Sequence, residues 1–207
     1  MKPSLRRWHL LSALLLGLFL AIHIGNHIVG LGGQANHLAY MAAVSPLYRN
    51  IFIEPLLLAL FCWQGVSGLT MIVRGWKDRT ALVPWMQALS GAYLAVFLFI
   101  HVSAVLTGRA ILKLDTDFRF AAAGFQVPHW SWFFAPYYFA AVVALFVHLG
   151  CAAFWNLVPQ GPRIATAALA GFAVVGVLLG ALIVSSLAGW IYPVDIPARY
   201  LATYLSP

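Results

Sequence analysis

Charge is scarce in this chain. Only 8% of its 207 residues are Asp, Glu, Lys or Arg, against about a quarter in soluble domains, so an ordinary water-soluble fold is excluded. Cysteine is scarcer still. Cys62 and Cys151 are the only two, each inside an apolar run, which rules out a disulfide scaffold and a cysteine array for an iron–sulfur cluster. No glycine-rich dinucleotide motif, internal repeat or low-complexity tract is present, and no polar stretch is long enough for a separate catalytic domain. The net charge of +7 is spread through short connections, so neither disorder nor a nucleic-acid-binding domain is expected. What remains is apolar: 63% hydrophobic residues and a mean hydropathy of +0.89. At roughly 20 residues per crossing, the length allows about five or six membrane spans.

The apolar runs predict five, at about 8–31, 52–73, 85–106, 133–157 and 164–190, forming one all-α membrane domain. The first follows Lys2, Arg6 and Arg7 but exceeds a signal-peptide core and has no clear cleavage motif, so it reads as a retained span. Lys2, Arg6, Arg7, Arg74, Lys77, Arg79 and Arg163 fall on the N-terminal side, with Asp78 the only acid. Arg49, Arg109, Lys113, Arg119 and Arg199 on the other side are offset by Glu54, Asp115, Asp117 and Asp195. This asymmetry predicts a cytoplasmic N-terminus and an external C-terminus, with a bacterial inner membrane as the expected location. Residues 30–50 and 108–132 read as outer connections, 75–79 and 159–162 as inner turns, and 192–207 as a tail at the outer boundary.

Four of the seven histidines, His23, His27, His101 and His148, fall within or at the end of predicted spans. An imidazole in lipid needs a partner. An interhelical hydrogen bond suffices for one, but several at matching depths point to a cofactor. His23 and His101 share a level in the outer half, and paired neutral imidazoles are the axial donors of a b-type haem. Gly25, Gly91 and Ser90 are the expected places where a flat macrocycle or another helix could approach closely. His148 is in the inner half, where Gln64 on the second span stands at its depth, and an amide is a poor ligand for haem iron. His27 is one turn from His23, a pair that can hold a metal ion; without a nearby carboxylate, hydrolytic zinc chemistry is not expected. Three roles suit His27: an alternative ligand, a propionate contact or a quinone contact. His9, near the start of the first span, suits an interfacial hydrogen bond or a propionate contact better than ligation. His37 and His129 read as loop residues without a role.

Arg6–Arg7–Trp8–His9, Leu16–Gly17–Leu18–Phe19 with His23, Trp85–Met86–Gln87–Ala88–Leu89–Ser90–Gly91 leading to His101, His148–Leu149–Gly150 and Pro162–Arg163–Ile164 together resemble the five-helix, single-polypeptide cytochrome b anchor of succinate dehydrogenases and fumarate reductases. The resemblance extends from about residue 5 to 190. It implies a diheme protein with one haem-ligating histidine on each of the first four helices. His23 and His101 match the outer pair, and His148 matches the fourth-helix inner ligand. The second-helix ligand falls on Gln64, so one haem b is expected ahead of two. The resemblance also implies docking of a flavoprotein and an iron–sulfur subunit at the cytoplasmic face, and electron transfer to or from membrane quinone. The chain would then be a non-catalytic electron-transfer and anchor subunit. Glu54, Trp63, Gln87 and Ser90 are the expected quinone contacts, although Glu54 also fits a simple helix-start acid. The alternative is a stand-alone or receptor-like haem protein, or a haem-free anchor, of the same fold.

Overall fold

A computed structural model describes residues 3–205; Lys2, counted above with the basic side, and the last two residues of the tail lie outside them. The described residues are helical, with no strand. The helices are α1 Pro3–Gly30, α2 Gln34–Tyr48, α3 Ile53–Arg74, α4 Leu82–Ala110, α5 Phe118–Ala123, α6 Pro128–Leu157, α7 Pro162–Leu187 and α8 Ala198–Leu205. Five of them, α1, α3, α4, α6 and α7, are long and apolar enough to cross a membrane. They satisfy their backbone groups internally, as lipid demands.

Helices α1, α4 and α6 extend beyond the predicted limits because helices continue into the interface where the apolar pattern stops, whereas α7 ends at Leu187, short of the predicted 190. Pro128 starts α6 five residues early, since a proline in the first turn forfeits only an amide that lacks a helical partner anyway. The predicted outer connection between the first two spans contains α2, and the one before α6 contains α5. Helix α2 runs antiparallel along the C-terminal half of α1. His37 packs on Gly30, the Tyr40 hydroxyl reaches Gly25, and the Tyr48 ring meets Phe19 edge-on at 5.2 Å.

Packing is uneven. Helices α6 and α7 approach closely because Gly150, Gly176 and Gly180 leave room for Phe172, Phe146 and Phe139 from the facing helix, the small-residue contact that substitutes for a hydrophobic driving force in lipid. A Cβ on Gly176 would lie 2.7 Å from that of Phe146. The best-buried cluster joins this pair to α5 at the end of the bundle that carries α2, around Phe118 and Leu187, both 1% exposed. A second cluster seats Tyr200 of α8 against Leu114 and Ala123. The tail is thus folded onto that same end. Tyr192 donates to the Gly30 carbonyl at 2.5 Å, and Gln34 and Asp195 exchange two hydrogen bonds of 2.9 Å. In contrast, α1, α3 and α4 bury few residues of their own, and they enclose most of the histidines.

At the opposite end Arg6, Arg7, Arg74, Lys77 and Arg163 are exposed. Arg79 is spent on the fold: it donates to the Ile72 carbonyl at 2.9 Å and sits over the rings of Trp76 and Trp85.

Candidate functional site

Phe19–His23 on α1 and Phe97–His101 on α4 repeat one local device. Residues four apart share a helix face, so each phenyl ring stacks on the imidazole one turn later, with centroids 5.7 and 5.1 Å apart. The two imidazoles face one another with centroids 6.1 Å apart and planes at 71°. Tyr138 of α6 meets His101 edge-on at 6.2 Å. The level inferred from residue counting is therefore the level at which these side chains meet.

Two further histidines extend the row. His27 is 5.2 Å from His23, and His37 is 5.3 Å from His27 and 5.2 Å from Phe118. His37 corrects the loop reading: it lies on α2, 4% exposed, and its Nδ1 has no hydrogen-bond partner. Beside it, the buried Asn26 Oδ1 is also unpartnered. His129 is likewise helical, in the first turn of α6, and exposed.

The ring nitrogens of His23, His27 and His101 make no hydrogen bond among the described residues. Protein atoms surround all three, yet each keeps accessible surface. Phe61, Gly65, Gly68 and Ile72 lie on one face of α3. Phe61 touches Phe19 at 5.8 Å, Gly68 lies under His9, and Ile72 reaches Gly91 of α4. Gly65 shares this inward face, and nothing lies within 4 Å of where its Cβ would stand. At Gly25 and Gly91, the expected places of close approach, it is another helix that approaches, through Tyr40 of α2 and His148 of α6.

A bare metal ion fits poorly. Among the described residues no group of three or more His, Cys, Asp or Glu is arranged to hold one. An iron that already carries four equatorial nitrogens needs only two axial donors. Two metal–nitrogen bonds of about 2.0 Å and two imidazole radii span about 6 Å, close to the His23–His101 centroid separation. Edge-to-face rings adopt the same distance, so the unbonded nitrogens and the gap at Gly65 are what favour a cofactor. The residues present fit an iron porphyrin.

The half of the bundle nearer the start of α1 is hydrogen-bonded instead. Gln64 does not meet His148: its Nε2 donates to the His9 carbonyl and to Ser12 Oγ of α1, both at 2.8 Å. His9 Nδ1 lies 2.7 Å from Ser67 Oγ, and His148 Nδ1 lies 3.2 Å from both Ser90 Oγ and the Gln87 carbonyl. Of the expected quinone contacts, Ser90 is buried beside His148, and Gln87 accepts from Trp155 Nε1 at 2.8 Å. Trp63 is exposed. Glu54 forms a two-pronged pair with Arg109, at 2.5 and 3.0 Å. Two shallow surface depressions, one around Pro136 and Trp190 and one around Arg163 and Thr166, are not lined by histidine.

Burial, and secondarily His23, hold the His37 imidazole well below its ordinary value, at about 4. Released from the bundle, it protonates near 6.5. Between these values the released state binds more protons, so α2 packing is full above about pH 6.5 and weakens as pH falls toward 4, by up to about 3 kcal/mol. Amide hydrogen exchange over residues 34–48 should accelerate in that window once intrinsic rates are corrected, and His37→Phe should remove the effect. Equal protection on both sides of the window would refute it. No protein-family model, curated protein or solved structure matches this chain.

Proposed function

We propose that the chain is a membrane cytochrome b in which His23 and His101 are the axial ligands of a haem in the outer half. The observation that carries this reading is the pair itself: two imidazoles from the first and third spans, 6.1 Å apart, stacked by a phenylalanine on each helix and left without hydrogen bonds. When bound, the haem supplies one-electron transfer through the low-dielectric layer. The chain's own residues hold and shield it. Phe19 and Phe97 fix the ring planes, Tyr138 closes one side, and α2, α5 and α8 cover the outer end against water.

The function that best accommodates such a site is the succinate dehydrogenase or fumarate reductase type of anchor: electron transfer between an iron–sulfur subunit and membrane quinone. Support comes from the sequence resemblance and from the exposed Arg6, Arg7, Arg74, Lys77 and Arg163 at one end. That face suits an acidic partner surface, and a cytoplasmic N-terminus in a bacterial inner membrane follows from the same charges. Glu54, paired with Arg109, and Gln87 remain the polar groups suited to a quinone headgroup.

Solubilisation from native membranes, capture of the chain, and assay of haem b, flavin and iron–sulfur cluster in the captured material tests the reading. Haem with flavin and cluster is expected. Haem alone would favour the stand-alone cytochrome; a haem-free, folded chain would refute the cytochrome.

A further inference from the structure

Among the described residues, three buried side-chain atoms have no hydrogen bond: the Tyr200 hydroxyl, His37 Nδ1 and Asn26 Oδ1. Tyr200 sits in an apolar cluster of its own under α8. The other two belong together. Asn26 lies one turn before Gly30 on α1, and Gly30 is the residue on which the His37 ring of α2 packs; a Cβ there would come within 2.9 Å of that ring. His37 and Asn26 are 4% and 6% exposed. An unmet buried polar atom is destabilising, so two at one helix contact call for a polar group that the chain does not itself provide.

Bulk water is held off from this corner. Phe118 meets the His37 ring at 5.2 Å, Tyr192 lies against Phe118 at 6.4 Å, and the Tyr192 hydroxyl is fastened to the Gly30 carbonyl. The corner is nevertheless continuous with the ligand pair. His37 is 5.3 Å from His27, which is 5.2 Å from His23, and His37 is close enough to His23 for the two rings to interact electrostatically.

An iron porphyrin carries carboxylate side chains at the edge of an otherwise apolar ring, and a carboxylate away from water needs hydrogen-bond donors. The guanidinium groups at this end of the bundle are committed elsewhere. Arg109 is paired with Glu54 and Arg119 with Asp117, Arg49 donates to the Thr116 carbonyl and hydroxyl, and Arg199 lies over the Tyr200 ring. Neutral donors remain: a ring N–H of His37 and the amide N–H of Asn26, neither of which has an acceptor among the described residues.

We infer that His37 and Asn26 are the seat of a carboxylate of the outer haem, so that α2 is part of the cofactor site as well as its cover. The inference rests on the reading of His23 and His101 as axial ligands. Its signature is an opposition between stability and binding. Without the cofactor the two side chains are a liability to the fold; with it they hold and orient the macrocycle.

The test titrates haem b and its dimethyl ester, in which the carboxylates are capped, into the detergent-purified full chain. Binding is read by absorbance, and thermal unfolding of the unloaded chain is measured alongside. The wild type should bind haem b about 10–100-fold more tightly than the ester, the range of a hydrogen bond to a charged group. His37→Phe keeps an aromatic ring between Gly30 and Phe118 and deletes the orphaned nitrogen. Its unloaded chain should melt no lower than wild type, it should bind the ester as wild type does, and its preference for haem b should shrink by about 10-fold. His37→Gln, which keeps a donor, should retain more of that preference than His37→Phe. Equal wild-type affinity for haem b and ester, with uptake still abolished by His101→Ala, would overturn this inference and leave the axial pair standing. So would a His37→Phe chain that loses affinity for both forms alike or keeps the full preference. A folded wild type that takes up neither form would overturn the cytochrome reading itself.

Discussion

Replacement of His101 by alanine should remove the outer haem while leaving the helical bundle assembled. The expectation comes from what the side chain does not do. Its ring nitrogens hold no hydrogen bond, so truncation orphans no buried donor or acceptor elsewhere. The structural loss is confined to the stack on Phe97 and the edge contact with Tyr138, about 1–2 kcal/mol of packing. The functional loss is much larger. Mutation of residues that merely orient a metal ligand weakens binding by about 10–100-fold, so removal of the ligand itself should exceed about 100-fold. Helical circular dichroism and the thermal midpoint of the apoprotein should change little, whereas outer-haem occupancy collapses. His23→Ala should behave alike. His27→Ala is the informative control: it stands 5.2 Å from His23 yet is not one of the proposed donors, and should retain haem. Unchanged occupancy in His101→Ala would eliminate the pair.

Much of this site was visible before any coordinates. Apolar runs identify the five spans because lipid forbids an interruption, and counting residues from the start of the first and third spans places His23 and His101 at one depth. Counting gives depth but not rotation. It set Gln64 level with His148, yet α3 turns its polar inner face to α1 while α4 turns Gln87, Ser90 and Gly91 to α6. His9 consequently read as an interfacial residue when it is fastened inside the bundle.

Helix α2 escaped for a different reason. Its 15 residues include Pro46, follow glycines, and are too short for a span, so nothing local separates it from a loop. Its helix–helix contacts identify it: His37, Tyr40 and Tyr48 meet α1 at successive levels. His37 could be recognised only through that face, since one histidine among small residues carries no periodic signal. The ion pair of Glu54 with Arg109 was hidden likewise, because partners 55 residues apart leave no pattern.

The contrast between the two halves of the bundle implies a division of labour. Helices α6 and α7 interlock through glycines and carry the buried cluster that anchors α5. Helices α1, α3 and α4 meet through sparse polar bonds and leave space. Dispersion contacts are forfeited wherever such a space stays empty, so the loose half is a poor scaffold by itself and a suitable one around a large apolar cofactor.

Gly65→Leu tests that argument directly and should move stability and binding in opposite directions. Nothing lies within 4 Å of the position a Cβ would take, and the helix neighbours on the same face, Phe61 and Gly68, already touch α1. A leucine there should enter the gap without displacing backbone, gain dispersion contacts, and replace a poor helix former with a good one, worth about 0.8–1 kcal/mol. The apoprotein should therefore melt no lower than wild type. A macrocycle occupying the same gap would meet the new side chain. Overpacking a filled site costs about 1–3 kcal/mol, so haem affinity should fall by roughly 10–100-fold. Gly176→Leu provides the opposite pattern: its Cβ would strike Phe146 at 2.7 Å, so the α6–α7 pair and the thermal midpoint should suffer first. If Gly65→Leu binds haem as tightly as wild type, the gap is not where the cofactor lies. If it melts far below wild type without haem, the gap is not open in the folded protein.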